Sequence, residues 1–372
     1  MDKETTNVIK LALESMEKNE FGIHFFTMDT QGNPTAGVAN IYEHVRILRE
    51  LGYNASILHE KNEYTPVTWL GEEYTKLPHI SAESNELRVN PQDIIIIPEI
   101  YANVMEQVSK LPGYRVVLCQ SYDYILEMLP PGKSWRDYGI DRCITTTESQ
   151  KEYIDKLFSN TVKVDVVPVG IPDYFKPSDK DKKPIVSVVT RDQRDLVKIF
   201  KSFYLKYPHL KWITFRDMRG LPKEVFAKDL AESCLAVWVD DIAGFGTFPL
   251  EAMKCDVPVV AKVPNITPEY FTDKNGLWVH DVNQISDLIS NYVQAWLEDS
   301  EPTELYTEMD KLKDSYTVDA MEVKVKEVYE NIFNERKEHF TTVLGQQPTQ
   351  PIETDGEVIE MGNDNIETEI KQ

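Results

Sequence analysis

The chain of 372 residues carries 62 acidic and 40 basic side chains, which gives a formal net charge of −22 at neutral pH. Such a negative field disfavours duplex nucleic acid and anionic lipid surfaces as partners, although a few Arg or Lys side chains inside a cleft can still bind one diphosphate. The length favours two domains rather than one, and a hydrophobic fraction of 41% is sufficient for folded cores.

Two features of the sequence bear on its location. Residues 1–6 contain acids and no apolar run, and no stretch of the chain approaches the length of a bilayer-spanning helix. We therefore expect a cytoplasmic protein without stable membrane insertion. The four cysteines are far apart and form no Cys-x-x-Cys pair, so they are expected to be reduced thiols without a metal: Cys119, Cys143, Cys234 and Cys255.

The first half of the chain alternates apolar strand-like runs with amphipathic helical stretches. Residues 38–51 repeat apolar side chains on one helical face and end at Gly52, a residue suited to a left-handed cap. The pattern predicts a parallel sheet with helices on both faces. The expected strands are 22–27, 54–58, 93–97, 114–119, 142–145 and 163–167.

A Pro-rich segment at 168–184 interrupts both periodicities, and a second alternation follows it. Two Rossmann-like domains that face each other across a cleft are therefore expected. The predicted strands are 185–190, 212–215, 234–239, 257–261 and 276–279, and the predicted helices are 192–206, 222–232 and 247–254.

The predicted organisation of the whole chain follows from these runs and from the composition of the C-terminal region. A long charged helical stretch at 304–339 is typical of helices that pack back on a finished domain. The predicted units are a first domain at 1–168, a linker at 169–184, a second domain at 185–300, C-terminal helices at 301–343 and a disordered acidic tail at 344–372.

Two segments of the second domain follow predicted strands and open helices, where free backbone N–H groups favour anions. In the first, Arg191 and Arg194 could hold a diphosphate through charge-assisted hydrogen bonds, although a solvated helix start has the same pattern. In the second, the backbone at Gly244 and Gly246 can approach a ligand closely.

The same Gly-rich segment presents further candidate ligands. Thr247 and Phe248 can direct N–H groups at a phosphate, and the Glu251 carboxylate can accept hydrogen bonds from two ribose hydroxyls. The alternative is a turn and a Glu that only cap an amphipathic helix.

This segment resembles the donor-binding signature of family-4-type retaining glycosyltransferases, which have the GT-B fold. The similarity is carried by the glycines, by Glu251-Ala252-Met253 and by Pro258-Val259-Val260-Ala261. It implies that Glu251 binds the donor ribose. Ala243 stands where the family has its first motif Glu, and Asp240 or Asp241 is near enough to substitute for that carboxylate.

The resemblance extends over most of residues 21–300 and implies further donor contacts. Arg191 and Arg194 occupy the positions of the family's diphosphate-binding Arg and Lys, with Lys198 as a further candidate. Gly37 lies in a loop similar to the one that brings N–H groups to the donor phosphates across the cleft.

Polar side chains also follow the strands of the first domain that face the cleft. They are candidates for sugar or acceptor contacts, although the tyrosines could instead close the edge of the domain: Glu99, Tyr101, Gln120, Tyr122 and Asp123. Gln120 stands near a position where many relatives have His. No metal is implied, because the histidines form no ligand pattern and Asp240-Asp241 lacks Asp-x-Asp spacing.

The expected function is transfer of a sugar from a UDP- or GDP-sugar to an acceptor hydroxyl, with retention and without a cofactor or metal. The acceptor is left open among saccharides, lipid-linked saccharides, proteins and modified bases. Three alternatives stay open: a non-catalytic nucleotide-sugar binder, a nucleotide-sugar epimerase on the same fold, and a nucleic-acid-modifying glycosyltransferase, which the negative charge disfavours.

Overall fold

A computed structural model describes residues 3–84 and 87–345. The N-terminal part forms a seven-stranded parallel sheet with the strand order β3-β2-β1-β4-β5-β6-β7. Its strands are β1 (Gly22–Phe26), β2 (Asn54–His59), β3 (His79–Ser81), β4 (Ile94–Pro98), β5 (Tyr114–Cys119), β6 (Arg142–Thr145) and β7 (Lys163–Val166). Its helices are α1 (Lys3–Glu17), α2 (Ala36–Glu50), α3 (Glu72–Thr75), α4 (Ala102–Val108), α5 (Asp123–Met128) and α6 (Glu148–Leu157).

The central strands of this sheet are apolar on both faces because helices cover them from both sides. Every residue of β4 is buried, as expected for an interior strand of a parallel sheet. β1 pairs with β2 on one side (Gly22↔Asn54) and with β4 on the other (Ile23↔Ile94). From β1 the chain adds β2 and β3 on one side of the sheet, and from β4 onward it adds strands on the other side. A ligand crevice is expected beyond the carboxyl ends of β1 and β4, where the strand order reverses.

The second domain contains a five-stranded parallel sheet with the order β12-β11-β10-β8-β9. Its strands are β8 (Lys183–Thr190), β9 (Thr214–Asp217), β10 (Ser233–Val239), β11 (Val259–Lys262) and β12 (Leu277–Val279). Its helices are α7 (Gln193–Lys206), α8 (Lys223–Glu232), α9 (Thr247–Lys254), α10 (Ile285–Leu297) and α11 (Thr303–Lys313). The fold class expected from the sequence, two Rossmann-like domains across a cleft, is confirmed.

The last helix, α12 (Val318–Gly345), returns from the second domain and packs on the first. The chain enters it beside the linker, where the Ile171 N–H donates to the Tyr316 carbonyl at 2.8 Å. Farther along, Glu335 on α12 accepts from the Arg142 guanidinium, which is buried beneath it. Thus one helix closes the core of a domain whose strands lie at the other end of the sequence.

Several element bounds differ from the expectations. The expected helix at 304–339 is two helices, α11 and α12, and the linker ends earlier because Lys183 and Pro184 belong to β8. The sequence patterns do not predict α1, β3, α3, α4, α5 or α10. Residues 344 and 345 lie in α12, and the rest of the predicted tail, 346–372, falls outside the described residues. Among residues 3–84 and 87–345, no helix is both long and apolar enough to cross a bilayer.

Candidate active site in the cleft between the domains

A cleft of about 620 Å³ lies between the carboxyl ends of the two sheets and is lined by both domains. This volume is in the range of sites for nucleotide-sized ligands. Eleven of the residues singled out in the sequence line it: Gly37, Glu99, Tyr101, Gln120, Arg191, Asp240, Ala243, Gly244, Gly246, Thr247 and Phe248. The fold thus brings most of the candidates from the two halves of the chain into one space.

Two helices begin at the cleft with open N-termini, α2 from the first domain and α9 from the second. At neither N-cap residue, Thr35 or Gly246, does a side chain accept a hydrogen bond from the backbone N–H groups of the first turn. In contrast, Asp192 caps α7 by accepting from the Arg194 N–H. Free N–H groups and the positive ends of two helix dipoles therefore converge on the cleft from opposite sides, which suits an anionic ligand.

The loop before α9 has a conformation that requires both of its glycines. Gly246 has φ +74°, and an added Cβ would lie 2.5 Å from the Trp238 ring. At Gly244 a Cβ would overlap the carbonyl oxygen of Gln120 in the first domain. The Tyr270 hydroxyl contacts the Phe245 carbonyl at 2.8 Å and holds the loop from below. The glycines allow this loop to press against the other domain.

Arg191 spans the cleft between the two domains. Its Nε and Nη2 donate to the two carboxylate oxygens of Asp240 at 2.7 and 2.9 Å, and its Nη1 donates to the Tyr124 hydroxyl at 3.3 Å. All three side chains line the cleft. The bidentate pair fixes the guanidinium plane and neutralises most of its charge within the free protein.

Glu251 lies one turn into α9, is only partly accessible and does not line the cleft, so its predicted contact with the ribose stays a prediction. Burial raises the pKa of its carboxyl to about 7, and the opposing effect is a hydrogen bond from the Thr247 hydroxyl. The side chains of Tyr174 and Tyr270 are near enough to interact electrostatically with this carboxyl. It is therefore a poorly solvated hydrogen-bond acceptor beside the open N-terminus.

Two basic candidates do not reach the cleft. The Arg194 side chain is 85% exposed and pairs with Asp192, the N-cap residue of its own helix. Lys198 is 61% exposed and pairs with Asp195 at 3.1 Å. Their role in diphosphate binding stays a prediction, and Arg191 is the cation of this segment that lines the cleft.

Three further candidates lie outside the cleft, two of them at the contact between the domains. The Tyr122 hydroxyl donates to the Asp241 backbone carbonyl at 3.0 Å, and the Asp241 carboxylate accepts from Lys262 at 2.6 Å. Asp123 is exposed at the start of α5. None of the three lines the cleft, so the structure gives Tyr122 and Asp241 a place in the domain contact, and their predicted ligand contacts stay predictions.

The first-domain wall of the cleft contains a buried polar network. Glu99 is 3% exposed, and its Oε1 accepts from the Ser121 N–H at 2.8 Å. Burial raises the pKa of Glu99 to about 7, while hydrogen bonds from backbone N–H groups act in the opposite direction. Asn40 Nδ2 donates to Gln120 Oε1 at 3.0 Å, and Gln120 Nε2 donates to the Gly37 carbonyl at 3.1 Å.

Sequence reasoning missed Asn40, Tyr124 and Tyr270, and it named Asp240 without pairing it with Arg191. Asn40 is a polar residue beside the apolar positions Val38 and Ile41 of α2, which is a signal that the sequence carries. No local pattern indicates Tyr270, because it reaches the glycine loop from a separate segment. Among the described residues, no group of three or more His, Cys, Asp or Glu side chains is arranged to hold a metal ion.

Comparison with known proteins gives a family match in the second domain. Residues 193–313, from the start of α7 to the end of α11, match the family model described as glycosyl transferases group 1. The α-1,6-glucosyltransferase of Actinobacillus pleuropneumoniae serotype 7 is 25% identical to the chain over 305 residues, which cover 78% of this chain and 90% of that protein.

Solved structures resemble the whole two-domain arrangement. Sucrose-phosphate synthase from Thermosynechococcus elongatus has a TM-score of 0.64 at 14% identity, with 85% of this chain and 100% of that chain covered. The Anabaena protein HepE in complex with UDP-glucose has a TM-score of 0.60 at 13% identity, with 83% and 99% covered. At such identities the similarity establishes the fold.

Proposed function

We propose that the chain, a glycosyltransferase of the GT-B fold whose second domain matches the glycosyl transferases group 1 family, transfers a hexose from a UDP-sugar with retention of configuration and without a metal ion. The observation that carries the proposal is the pair of open helix N-termini, at Thr35 and Gly246, that face one cleft together with Arg191. These groups supply positive potential where a donor diphosphate would lie.

The donor nucleotide is proposed to bind along α9. Backbone N–H groups of Thr247 and Phe248 would donate to the diphosphate, while the ribose hydroxyls would donate to the Glu251 carboxylate. Gly37 would add an N–H group from the opposite side. Uridine as the base is supported by the bound UDP-glucose of the structurally similar Anabaena protein, and glucose as the sugar by the name of the Actinobacillus relative.

Asp240 is proposed to replace the carboxylate that is lost at Ala243. Ala243 lines the cleft without offering a polar side chain, and Asp240 lies three residues earlier with its carboxylate in the same space. Arg191 orients that carboxylate through two hydrogen bonds. Asp240 would then accept from hydroxyl groups of the donor hexose, while Arg191 turns one N–H toward the diphosphate.

In the proposed reaction the acceptor hydroxyl oxygen bonds to the anomeric carbon as the bond from that carbon to the diphosphate oxygen breaks. The hydroxyl proton ends on the departing diphosphate, whose charge is stabilised by the two N-termini and Arg191. UDP-glucose is an α-linked donor, so an α-linked product corresponds to retention. The Actinobacillus relative is named for an α-linkage, which supports this stereochemistry.

The test is to incubate the full chain with UDP-glucose, UDP-galactose and GDP-mannose, each with and without a panel of saccharide acceptors, and to follow the release of nucleotide. We expect UDP release from a UDP-sugar, unchanged by EDTA, and an α-linked product by proton NMR. Asp240→Asn should lower kcat/KM for the donor about 10-fold or more, because a charge-assisted hydrogen bond is lost. Absence of release from all three donors, or complete loss of activity in EDTA, would contradict the proposal.

A second candidate function is a nucleotide-sugar binder without transferase activity. It is favoured by Ala243, by Gln120 at the position near which many relatives have His, and by the Arg191 charge that Asp240 already neutralises. Saturable binding of UDP-glucose by calorimetry, with neither hydrolysis nor transfer during prolonged incubation, would select this candidate over the enzyme.

A further inference from the structure

We infer that Glu269 of the second domain is a positioning residue, which holds the cleft closed by capping helix α6 of the first domain. This inference rests on the proposed function, because it concerns the geometry in which the same cleft transfers a sugar. Glu269 lies between β11 and β12 and does not line the cleft. The proposed reaction gives it no contact with the donor or the acceptor.

The N-terminus of α6 is completed by both domains. Within the first domain, the Thr147 hydroxyl accepts from the Gln150 N–H at 3.1 Å. The N–H groups of Glu148 and Ser149 instead donate to the two carboxylate oxygens of Glu269, at 3.1 and 3.5 Å. The first N–H groups of a helix have no partner within the helix, so two of them here depend on the second domain. The helix dipole also favours a carboxylate at this end.

The residue after Glu269 connects this contact to the donor loop. The Tyr270 ring is buried, and its hydroxyl lies 2.8 Å from the Phe245 carbonyl oxygen and 2.6 Å from that of Gly246. Gly246 is the N-cap residue of α9, which begins at the cleft. Asn275 Nδ2 donates to the Tyr270 carbonyl at 2.7 Å and fixes its backbone. A shift of Glu269 therefore reaches the donor loop through one peptide bond and one buried ring.

The segment 264–270 contacts the first domain at a second point. The Ile266 N–H donates to the Tyr122 hydroxyl at 3.3 Å, and the Ile266 side chain packs against an apolar cluster of the first domain. The two contacts differ in their access to water, because Ile266 is half-buried whereas Glu269 is exposed. Water can therefore replace Glu269 at α6 when the domains separate, which makes this contact a reversible one.

The first experiment measures the domain contact in the full chain without turnover. In Glu269→Ala the N–H groups of Glu148 and Ser149 lose their acceptor, so we expect about 5- to 10-fold faster hydrogen exchange there by mass spectrometry. Exchange should also become faster at residues 245–247, because Tyr270 holds that loop. Unchanged exchange at Glu148 and Ser149 would overturn the inference.

The matched control for both experiments is Asp273→Ala. It removes an exposed carboxylate four residues farther along the same connection. Hydrogen exchange, melting temperature and activity should all equal those of the unmodified protein. Faster exchange at 148–149 in this control would assign the effect to the net charge of the segment and overturn the inference.

The second experiment follows UDP release from UDP-glucose with a panel of saccharide acceptors. We expect kcat in Glu269→Ala to fall about 5- to 10-fold while the Kd for UDP changes less than about threefold, because the second domain supplies most of the proposed nucleotide contacts. Glu269→Gln keeps one acceptor oxygen and should retain more of the activity than Glu269→Ala. Equal losses of kcat, UDP affinity and thermal stability in both variants would show a purely structural role and overturn the inference.

The outcomes separate this inference from the proposed function. If the unmodified chain releases UDP from UDP-glucose and Glu269→Ala has the same kcat as Asp273→Ala, the inference is wrong and the transferase proposal stands. If the unmodified chain turns over no UDP-sugar, the proposed function fails. Hydrogen exchange at 148–149 then still decides whether Glu269 holds the domains together.

Discussion

Glu99, which lines the cleft, and Glu251, which lies on α9 and does not line it, are two carboxyl groups that the protein keeps poorly solvated, although its surface is strongly acidic. Burial is the main cause of the raised pKa in both, and each has a value of about 7. They lie in different domains, one beside the expected acceptor and one beside the expected ribose. Both titrate near neutral pH, so ligand affinity and stability are expected to depend on pH in that range.

Replacing Glu251 by Gln should weaken UDP binding roughly 10- to 100-fold, because a hydrogen bond to a charged acceptor is worth about 1.5–3 kcal/mol. In the unmodified protein the affinity should also increase as pH rises through about 7, since the ionised carboxyl accepts ribose hydroxyls best. Calorimetric titration at several pH values measures both effects, and comparison with Glu251→Gln removes the titration of UDP itself.

Glu298→Gln, an exposed position after α10, is the control for this measurement and should bind UDP as the unmodified protein does. An affinity for UDP that is the same in Glu251→Gln and in the control would refute the assignment of Glu251 to the ribose.

The pH dependence of stability tests the environment of Glu99. Its pKa is higher in the folded protein, about 7, than its ordinary 4.5, so its contribution to stability is complete below about pH 4.5 and is lost as pH rises through about 7. Glu99→Gln cannot lose a proton. We therefore expect the Tm of this variant, relative to the unmodified protein, to increase from about pH 5 to about pH 8 in thermal melts.

The contribution of Glu251 is present in both proteins and cancels in this comparison. Glu106→Gln, an exposed position on α4, is the control and should give a Tm difference that is flat across the same pH range. A flat difference for Glu99→Gln as well would mean that the Glu99 carboxyl is solvated.

At the scale of elements, the loop 240–246 between β10 and α9 acts as a contact between the domains as well as a ligand loop. Ser121 donates to the Ile242 carbonyl at 2.6 Å, and the Tyr122 hydroxyl contacts the Asp241 carbonyl. Gly244 lies against the Gln120 carbonyl, where no side chain fits. The conformation of the donor loop is therefore coupled to the closure of the cleft.

Gly244→Ala should lower kcat about 100-fold, because the added methyl group meets the Gln120 backbone and a displacement of about 1 Å is enough to misalign reacting groups. Each domain should stay folded, so small-angle X-ray scattering should detect a wider molecule with little change in circular dichroism. Gly345→Ala has no neighbouring atom within 4 Å and should behave as the unmodified protein. A fully active Gly244→Ala would mean that catalysis needs a more open cleft.

The elements that periodicity predicted well are those with long apolar runs or clear caps. β1, β4, β5 and β10 have such runs, and the α2 helix ends where Gly52 predicts. β3 has only three residues, and its side chains are half-buried, so it lacks an apolar signal. α1 packs a narrow face on α12 and is otherwise exposed, which gives a weak pattern for a helix at the chain start.

At the scale of the whole molecule, α12 completes the core of the first domain after the chain has left the second. Phe333 on α12 packs edge-on against Phe21 with ring centroids 5.0 Å apart, and it also contacts Tyr53 at 4.7 Å. Arg142 of the first sheet pairs with Glu335 on the same helix. The two domains are consequently connected by two crossings of the chain.

Phe333→Ala should destabilise the protein by roughly 3–5 kcal/mol, because a buried aromatic ring is removed and a cavity remains. Urea unfolding measures this free energy of unfolding. Val323→Ala on the same helix is the control, since this side chain is 65% exposed and should cost less than about 0.5 kcal/mol. A similar small cost at Phe333 would mean that α12 is not part of the first-domain core.

The sequence by itself determined the two-domain architecture, the cleft and the Gly244–Glu251 segment, because strand and helix periodicity and glycine turns are local properties of the chain. Tertiary structure decided which of the basic side chains faces the cleft, since Arg191 meets Asp240 and Tyr124 whereas Arg194 is held by its own N-cap residue. It also decided that Glu269 meets the N-terminus of α6, because that contact depends on how the two domains pack against each other.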